Sequence, residues 1–194
     1  MARASTISAA DIEPVAPLAG SNVSAISWAA VIAGTVTAIA ATLTLLALGS
    51  AFGLATVSPW PGLGAKPTSF TIGAGVWLIV TQWISAALGG YIAGRLRVRW
   101  HGLHTDEVFF RDTAHGFLTW STATVLMAVV AVLAVAVTSA ATPPVDANVS
   151  KEAADAARKV AATFAAFTGL SLVIGAFIGS VCGAIGGRLR DLHD

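Results

Sequence analysis

Charged residues and cysteines are scarce in this sequence. Only 11% of its 194 residues are Asp, Glu, Lys or Arg, 56% are hydrophobic, and the mean hydropathy is +0.78. Soluble domains carry about 25% charged residues, so this composition excludes an ordinary soluble domain. The one cysteine, Cys182, excludes an internal disulfide, and we expect it to pack as a small apolar side chain.

Signatures of chemistry are also missing. The sequence holds no phosphate-binding glycine loop, no serine elbow, no dinucleotide fingerprint and no haem-attachment motif. A net charge of +1 gives no electrostatic basis for binding nucleic acid. We therefore predict that the protein is not an enzyme, has no catalytic residue or cofactor, and has no nucleic-acid partner.

Four long stretches lack Asp, Glu, Lys and Arg altogether. They are Pro14–Ala65, Pro67–Gly94, Thr113–Val145 and Val160–Gly187. Each is long enough to cross a bilayer as a helix, which takes about 20 apolar residues, and none shows the strict alternation of a barrel strand. We predict an all-α polytopic membrane protein with four transmembrane helices.

The predicted organisation follows from these stretches. It comprises a flexible cytoplasmic tail over 1–24, a first transmembrane hairpin over 25–97, an interfacial loop over 98–115, a second hairpin over 116–190 with a short polar helix near 150–159, and a tail over 191–194. The endings Gly90–Arg97 and Gly183–Arg190 read GYIAGRLR and GAIGGRLR. This similarity predicts a tandem duplication of a two-helix hairpin, with chance similarity between apolar helices as the alternative.

Small residues recur at every fourth position in the second and fourth spans. They are Ala86, Gly90 and Gly94, and Gly175, Gly179, Gly183 and Gly187. At this spacing they share one helix face, which lets another helix approach backbone to backbone. We predict that these two faces pack against each other, or that each packs against its copy in a partner subunit. The alternative is that glycine is simply frequent in membrane helices.

Polar residues within the spans are mostly Thr and Ser. No ionisable side chain lies at membrane depth, which argues against a proton relay, an ion-coupled transporter and a voltage sensor. Threonine hydroxyls in helices usually bond to their own helix. Gln82 lies on the face of Ala86, Gly90 and Gly94, so we predict that Gln82, together with Thr42, bonds between helices or lines a pore.

Basic residues are biased toward one side of the four spans. That side carries Arg95, Arg97, Arg99, Arg188 and Arg190 immediately beside the apolar segments, whereas Lys66, Lys151, Arg158 and Lys159 fall on the other. The positive-inside rule then places both termini and the 98–115 loop in the cytoplasm, with the five arginines contacting anionic phospholipids.

Histidines cluster in the 98–115 loop. His101, His104 and His115 are weak candidates for a metal site, because their spacing matches no established motif. We predict no metal there. The preferred interpretation is an interfacial segment whose aromatic side chains enter the headgroup region.

Short motifs carry a resemblance. The segments Ser27–Gly34 (SWAAVIAG), Gly89–Arg95 (GGYIAGR) and His115–Trp120 (HGFLTW) resemble an uncharacterised family of small four-helix bacterial inner-membrane proteins. Ala29 stands where that family has glycine. The resemblance implies a location in the bacterial inner membrane. It implies no activity and no catalytic residues.

The sequence thus favours a structural or accessory membrane protein that acts through glycine-mediated helix packing, in a homo-oligomer or a larger complex. The alternative is an oligomeric channel or small-solute pore lined by Thr and Gln. A metal-dependent site in the histidine loop ranks third.

Overall fold

A computed structural model describes residues 24–58, 64–100, 102–141 and 150–192. These ranges contain four α-helices and no β-strand beyond one isolated bridge between Val57 and Gly64. The helices are α1 (Trp28–Thr56), α2 (Pro67–Leu96), α3 (Thr105–Ala141) and α4 (Lys151–Asp191). Each is long and apolar enough to cross a membrane. The all-α, four-span prediction is therefore confirmed, while the tandem duplication and the hairpin boundaries stay predictions. The predicted N-terminal tail falls almost wholly outside the described residues.

Local signals explain where the helices begin. Pro67 opens α2, at a position where its missing N–H would have no helical partner. Ser150 caps α4, because its hydroxyl accepts a hydrogen bond of 3.2 Å from the Ala153 N–H. The polar segment over 150–159 forms the start of α4, which runs for 41 residues. At 1.5 Å per residue α4 is about 60 Å long, so it extends beyond a bilayer core of about 30 Å.

The packing places α2 at the centre. It contacts α1, α3 and α4, most extensively α4, while α3 also packs against α1 and α4. The buried hydrophobic core consists almost entirely of small side chains: Ala30, Val31, Ala38, Ala86, Ala93, Ala123 and Ala184. Large apolar side chains point outward instead, as suits helices surrounded by lipid rather than water.

The two ends of the helix bundle differ in how their residues are charged and buried. At the arginine end, defined by the start of α1, the end of α2, the start of α3 and the end of α4, buried charges link the helices. At the opposite end α3 stands apart, since it is the least buried of the four helices. Val132 and Val137 in its outer half are 68% and 69% exposed.

Candidate functional site

The crossing of α2 and α4 brings small residues of both helices together. Gly90 lies on the backbone of Gly179, so that a Cβ at Gly90 would stand 3.1 Å from the Gly179 Cα atom. Gly94 lies on Gly183 and Gly187, and a Cβ there would stand 2.8 Å from the Gly187 nitrogen. Both distances are too short for carbon in van der Waals contact. A side chain at either position would therefore force the two helices apart.

The same face of α4 also receives α3. A Cβ at Gly183 would stand 2.8 Å from the Gly116 Cα atom, and one at Gly175 would stand 2.8 Å from the Trp120 Nε1 atom. Gly187 leaves room for the Asp112 carboxylate, whose Oδ1 atom would lie 2.6 Å from an added Cβ. Gly175, Gly179, Gly183 and Gly187 of α4 are thus buried between α2 and α3 of a single chain.

A second close approach joins α1 to α2 and was not predicted. A Cβ at Gly89 would stand 2.8 Å from the Gly34 carbonyl oxygen and 2.8 Å from the Ala38 Cβ atom. Gly34 lies on a face of small residues at every fourth position, Ala30, Gly34 and Ala38, which was not singled out from the sequence. Gly116 has Asp112 and Trp120 four residues away on either side, so no repeat of small residues identifies its face.

A buried ion pair lies at the arginine end, directly below the glycine crossing. Arg97, just beyond α2, donates from Nη2 to Asp112 Oδ2 at 2.6 Å and from Nε to Asp112 Oδ1. Nη2 also donates to Asp191 Oδ2 at 3.2 Å, and Nη1 donates to the Val98 carbonyl at 3.1 Å. The Arg97 side chain is fully buried. Desolvation by burial lowers the pKa of Arg97 to about 10, so it remains protonated at neutral pH.

The Trp100 ring packs against the ion pair of Arg97 and Asp112. The Arg97 guanidinium lies 4.3 Å from the Trp100 ring centroid, and that of Arg111 lies 5.1 Å from it. Both distances suit cation–π contact. Trp100 also lies against His115, with ring centroids 5.5 Å apart. The ring shields the ion pair and joins it to α3.

Both ring nitrogens of His115 are engaged. The Ser27 backbone N–H donates to Nε2 at 2.8 Å, and Nδ1 lies 2.6 Å from the Arg111 carbonyl oxygen. Because an N–H group can only donate, Nε2 holds the lone pair and Nδ1 carries the proton that bonds to Arg111. Neutral His115 therefore fastens the start of α1 to α3. It has no free lone pair for a metal ion.

The other metal candidates do not converge with His115. His104 is exposed just before α3, and His101 lies outside the described residues. Over the described ranges no group of three or more His, Cys, Asp and Glu could hold a metal ion. The structure therefore assembles no metal site from the part of the histidine loop that it describes.

The five arginines predicted to contact lipid divide into two groups. Arg97 is buried in the ion pair, which differs from the prediction because Asp112 offers it a carboxylate inside the protein. Arg190 is half-buried and donates to the Arg97 carbonyl and to Asp191. The other three are more accessible: Arg99 and Arg188 are exposed, while Arg95 is half-buried.

Thr42 and Gln82, the two polar residues predicted to bond between helices or line a pore, lie in different surroundings. The Thr42 hydroxyl donates to the Ala38 carbonyl at 2.9 Å, within its own helix. Gln82 is half-buried and lies against Gly175, where an added Cβ would stand 2.6 Å from the Gln82 Cγ atom. Six buried side-chain polar atoms have no hydrogen-bond partner among the described residues: Thr81 Oγ1, Ser85 Oγ, Arg95 Nη1, Trp100 Nε1, Thr119 Oγ1 and Trp120 Nε1. The three hydroxyls were not singled out from the sequence, where threonine and serine are frequent in every span.

Comparisons with protein-family models, with curated proteins and with solved structures find no match to this chain.

Proposed function

We propose that this chain is a structural or accessory integral membrane protein that acts through glycine-mediated helix packing. The observation that carries the proposal is the crossing of α2, α3 and α4, where Gly90, Gly116 and Gly179 bring backbone against backbone. Such a crossing gives extended van der Waals contact and weak Cα–H···O bonds, which lipid cannot replace. The nearest charged groups, Arg97 and Asp112, bond to each other, which supports a role in assembly rather than reaction.

We further propose that the protein acts as a homo-oligomer or as a subunit of a larger membrane complex. The glycine face of α4 is buried within the chain, so a partner helix would use the apolar faces that remain outside. The outer half of α3 supplies such apolar surface, since its valines at 125, 129, 132, 135 and 137 are each more than half exposed.

Native mass spectrometry of the intact protein in mild detergent tests this proposal, because it reports copy number and co-purifying partners together. We expect masses above the monomer. Val132→Trp on α3 should reduce them, whereas Val173→Trp on α4, at a comparably exposed position, should not. Only monomers with no co-purifying protein would contradict the assembly.

We propose a location in the bacterial inner membrane with both termini in the cytoplasm. The exposed Arg188 supports contacts with anionic phospholipids on that side, because it adjoins the apolar end of α4. Arg97, Arg99 and Arg190 are left out of this proposal because their guanidinium groups bond within the protein.

A second candidate is an oligomeric channel or small-solute pore lined by Thr and Gln. The buried hydroxyls of Thr81, Ser85 and Thr119 favour it, because unpartnered polar atoms attract water into a protein interior. Solute flux into liposomes tests this candidate. Flux that falls in Thr81→Val and Ser85→Ala but not in Thr44→Val, an exposed threonine bonded to its own helix, would favour the pore. Absence of solute flux in the wild-type protein would contradict the pore function.

A further inference from the structure

A buried histidine connects the start of α1 to α3. His115 is 1% exposed, and its Nε2 atom accepts a hydrogen bond of 2.8 Å from the Ser27 N–H. Ser27 is the N-cap of α1, and its carbonyl oxygen accepts the bonds of the Ala30 and Val31 N–H groups that open the helix. The Ser27 side chain makes no capping bond. The backbone at the first turn of α1 is therefore bonded to α3 through a histidine lone pair.

The bond to Ser27 exists only while His115 is neutral. The Nδ1 atom lies 2.6 Å from the Arg111 carbonyl oxygen, which can only accept, so Nδ1 already carries a proton. A second proton can enter only at Nε2. It would turn the acceptor of the Ser27 N–H into a donor, so that two donors would face each other across 2.8 Å. Protonation therefore breaks the bond to α1 and leaves the bond to Arg111 intact.

Positive charges surround the His115 ring. The centroid of the Trp100 ring lies 5.5 Å from that of His115, 4.3 Å from the Arg97 guanidinium and 5.1 Å from the Arg111 guanidinium. A protonated His115 would be a third cation in this cluster. The start of α1 adds to the repulsion, because the N-terminal end of a helix is the positive end of its dipole. A protonated His115 is therefore repelled both by the arginines and by the helix that it holds.

The carboxylates of this cluster already have partners. Those of Asp112 on α3 and Asp191 on α4 both bond to Arg97, and Asp191 also bonds to Arg190. The Glu107 carboxylate on α3 bonds to Arg111. Residues 24–56, which include the whole of α1, contain no titratable side chain. A proton on His115 would therefore compete with existing ion pairs for any negative charge.

We propose that His115 is a proton-sensitive switch, which releases the start of α1 when the arginine end is acidified. A proton from solvent adds to Nε2, the Ser27 N–H loses its acceptor, and the first turn of α1 separates from α3 while the ring keeps its bond to Arg111. Because the ring is only 1% exposed, solvent reaches Nε2 as α1 moves away, so each release takes up one proton. The bond is present at neutral pH and is lost as the pH falls.

Spin labelling beside Ser27 tests the proposal on the full-length protein in detergent. In a Cys182→Ala background, a nitroxide on Ala25→Cys, an exposed position two residues before Ser27, reports the mobility of the start of α1. Between about pH 7.5 and about pH 5, where histidines titrate, we expect the mobile fraction of its spectrum to grow. The growth should reach up to about tenfold per pH unit, the limit for a release that takes up one proton. A nitroxide on Glu152→Cys, at the opposite end of the bundle, should keep its mobility.

Histidine variants assign the response to one ring. With His115→Gln the label should stay immobile at both pH values, because the amide oxygen can accept from the Ser27 N–H and takes up no proton. With His115→Ala it should be mobile at both. The matched control is His104→Gln, at an exposed histidine just before α3, which should keep the wild-type response.

The ¹⁵N resonances of the His115 ring, recorded on the wild-type protein, give a measurement that does not depend on the folding of any variant. The ring should gain its second proton at the same pH at which the label on Ala25→Cys becomes mobile. A different pH for the two events would overturn the proposal, as would a spectrum unchanged down to about pH 5. A response that persists in His115→Gln, disappears in His104→Gln or appears equally at Glu152→Cys would also overturn it.

Discussion

Arg97 and Asp112 form a two-bond ion pair in the interior of the arginine end, with both side chains almost fully shielded from solvent. The pair connects the residue just after α2 to the second turn of α3, and Asp191 extends it to the end of α4. Three of the four helices therefore meet at one guanidinium. A buried charge without its partner is costly, so the pair makes the ends of these helices interdependent.

Asp112→Ala is expected to lower the free energy of unfolding by about 3–5 kcal/mol, because it leaves the buried Arg97 charge uncompensated. Denaturant or thermal unfolding in detergent measures the loss. Glu107→Gln is the control, since Glu107 pairs with Arg111 at 2.7 Å on an exposed surface, where a pair contributes about 0–1 kcal/mol. A loss in Asp112→Ala no greater than that in Glu107→Gln would contradict the interpretation.

The double variant Arg97→Met with Asp112→Leu is expected to be more stable than Asp112→Ala alone. It removes both charges and refills the volume with apolar atoms, so no unpaired charge stays buried. Unfolding of the two variants under the same detergent conditions compares them directly. A double variant no more stable than Asp112→Ala would show that the unpaired Arg97 charge is not what destabilises the single variant.

His115→Ala is expected to free the start of α1. It removes the acceptor of the Ser27 N–H and the donor to the Arg111 carbonyl, and each unsatisfied buried group costs about 1–3 kcal/mol. Hydrogen exchange should speed up at the Ser27 amide and in the first turn of α1. His104→Ala, at an exposed position, should leave exchange unchanged, and neither variant should release metal. Unchanged exchange in His115→Ala would show that the histidine does not hold α1.

The four helices could be predicted from the sequence, but most of the contacts between them could not. Four charge-free stretches predicted α1 to α4 because a bilayer accepts only such segments. The interior was harder, because large apolar side chains occupy nearly every face of these helices, and in α3 no repeat of small residues separates lipid from protein. Arg97 illustrates the same limit. The sequence around an arginine at a membrane boundary is the same whether its partner is a lipid phosphate or the Asp112 carboxylate.

Labelling of single cysteines in a Cys182→Ala background is expected to place the two ends of the bundle on opposite sides of the membrane. Thr105→Cys reports on the arginine end and Glu152→Cys on the other. In sealed cells an impermeant maleimide should label Glu152→Cys and spare Thr105→Cys, as the bias of arginines predicts. The reverse pattern would place the arginine end outside.

Gly179→Leu and Gly183→Leu are expected to destabilise the protein by about 1–3 kcal/mol each, the usual scale for overpacking. The structure gives the reason. A Cβ at Gly183 would already lie 2.6 Å from the Asp112 carbonyl oxygen, and one at Gly179 would lie 3.1 Å from the Trp120 Cβ atom. Leucine at either position must separate α4 from α3, which also loosens the α2 contact along the whole face.

Gly169→Leu is the matched control for these two variants, because it makes the same chemical change in the same helix where an added Cβ meets nothing within 4 Å. Thermal unfolding and size-exclusion profiles in detergent would be recorded for all three variants. If only Gly179→Leu and Gly183→Leu lose the folded monomer, the glycine face of α4 packs within one chain. If these two variants lose oligomers but keep folded monomers, the glycine face of α4 packs between subunits instead. If all three variants unfold together with the wild type, the glycines of α4 do not hold the helices together, and the proposed packing role fails.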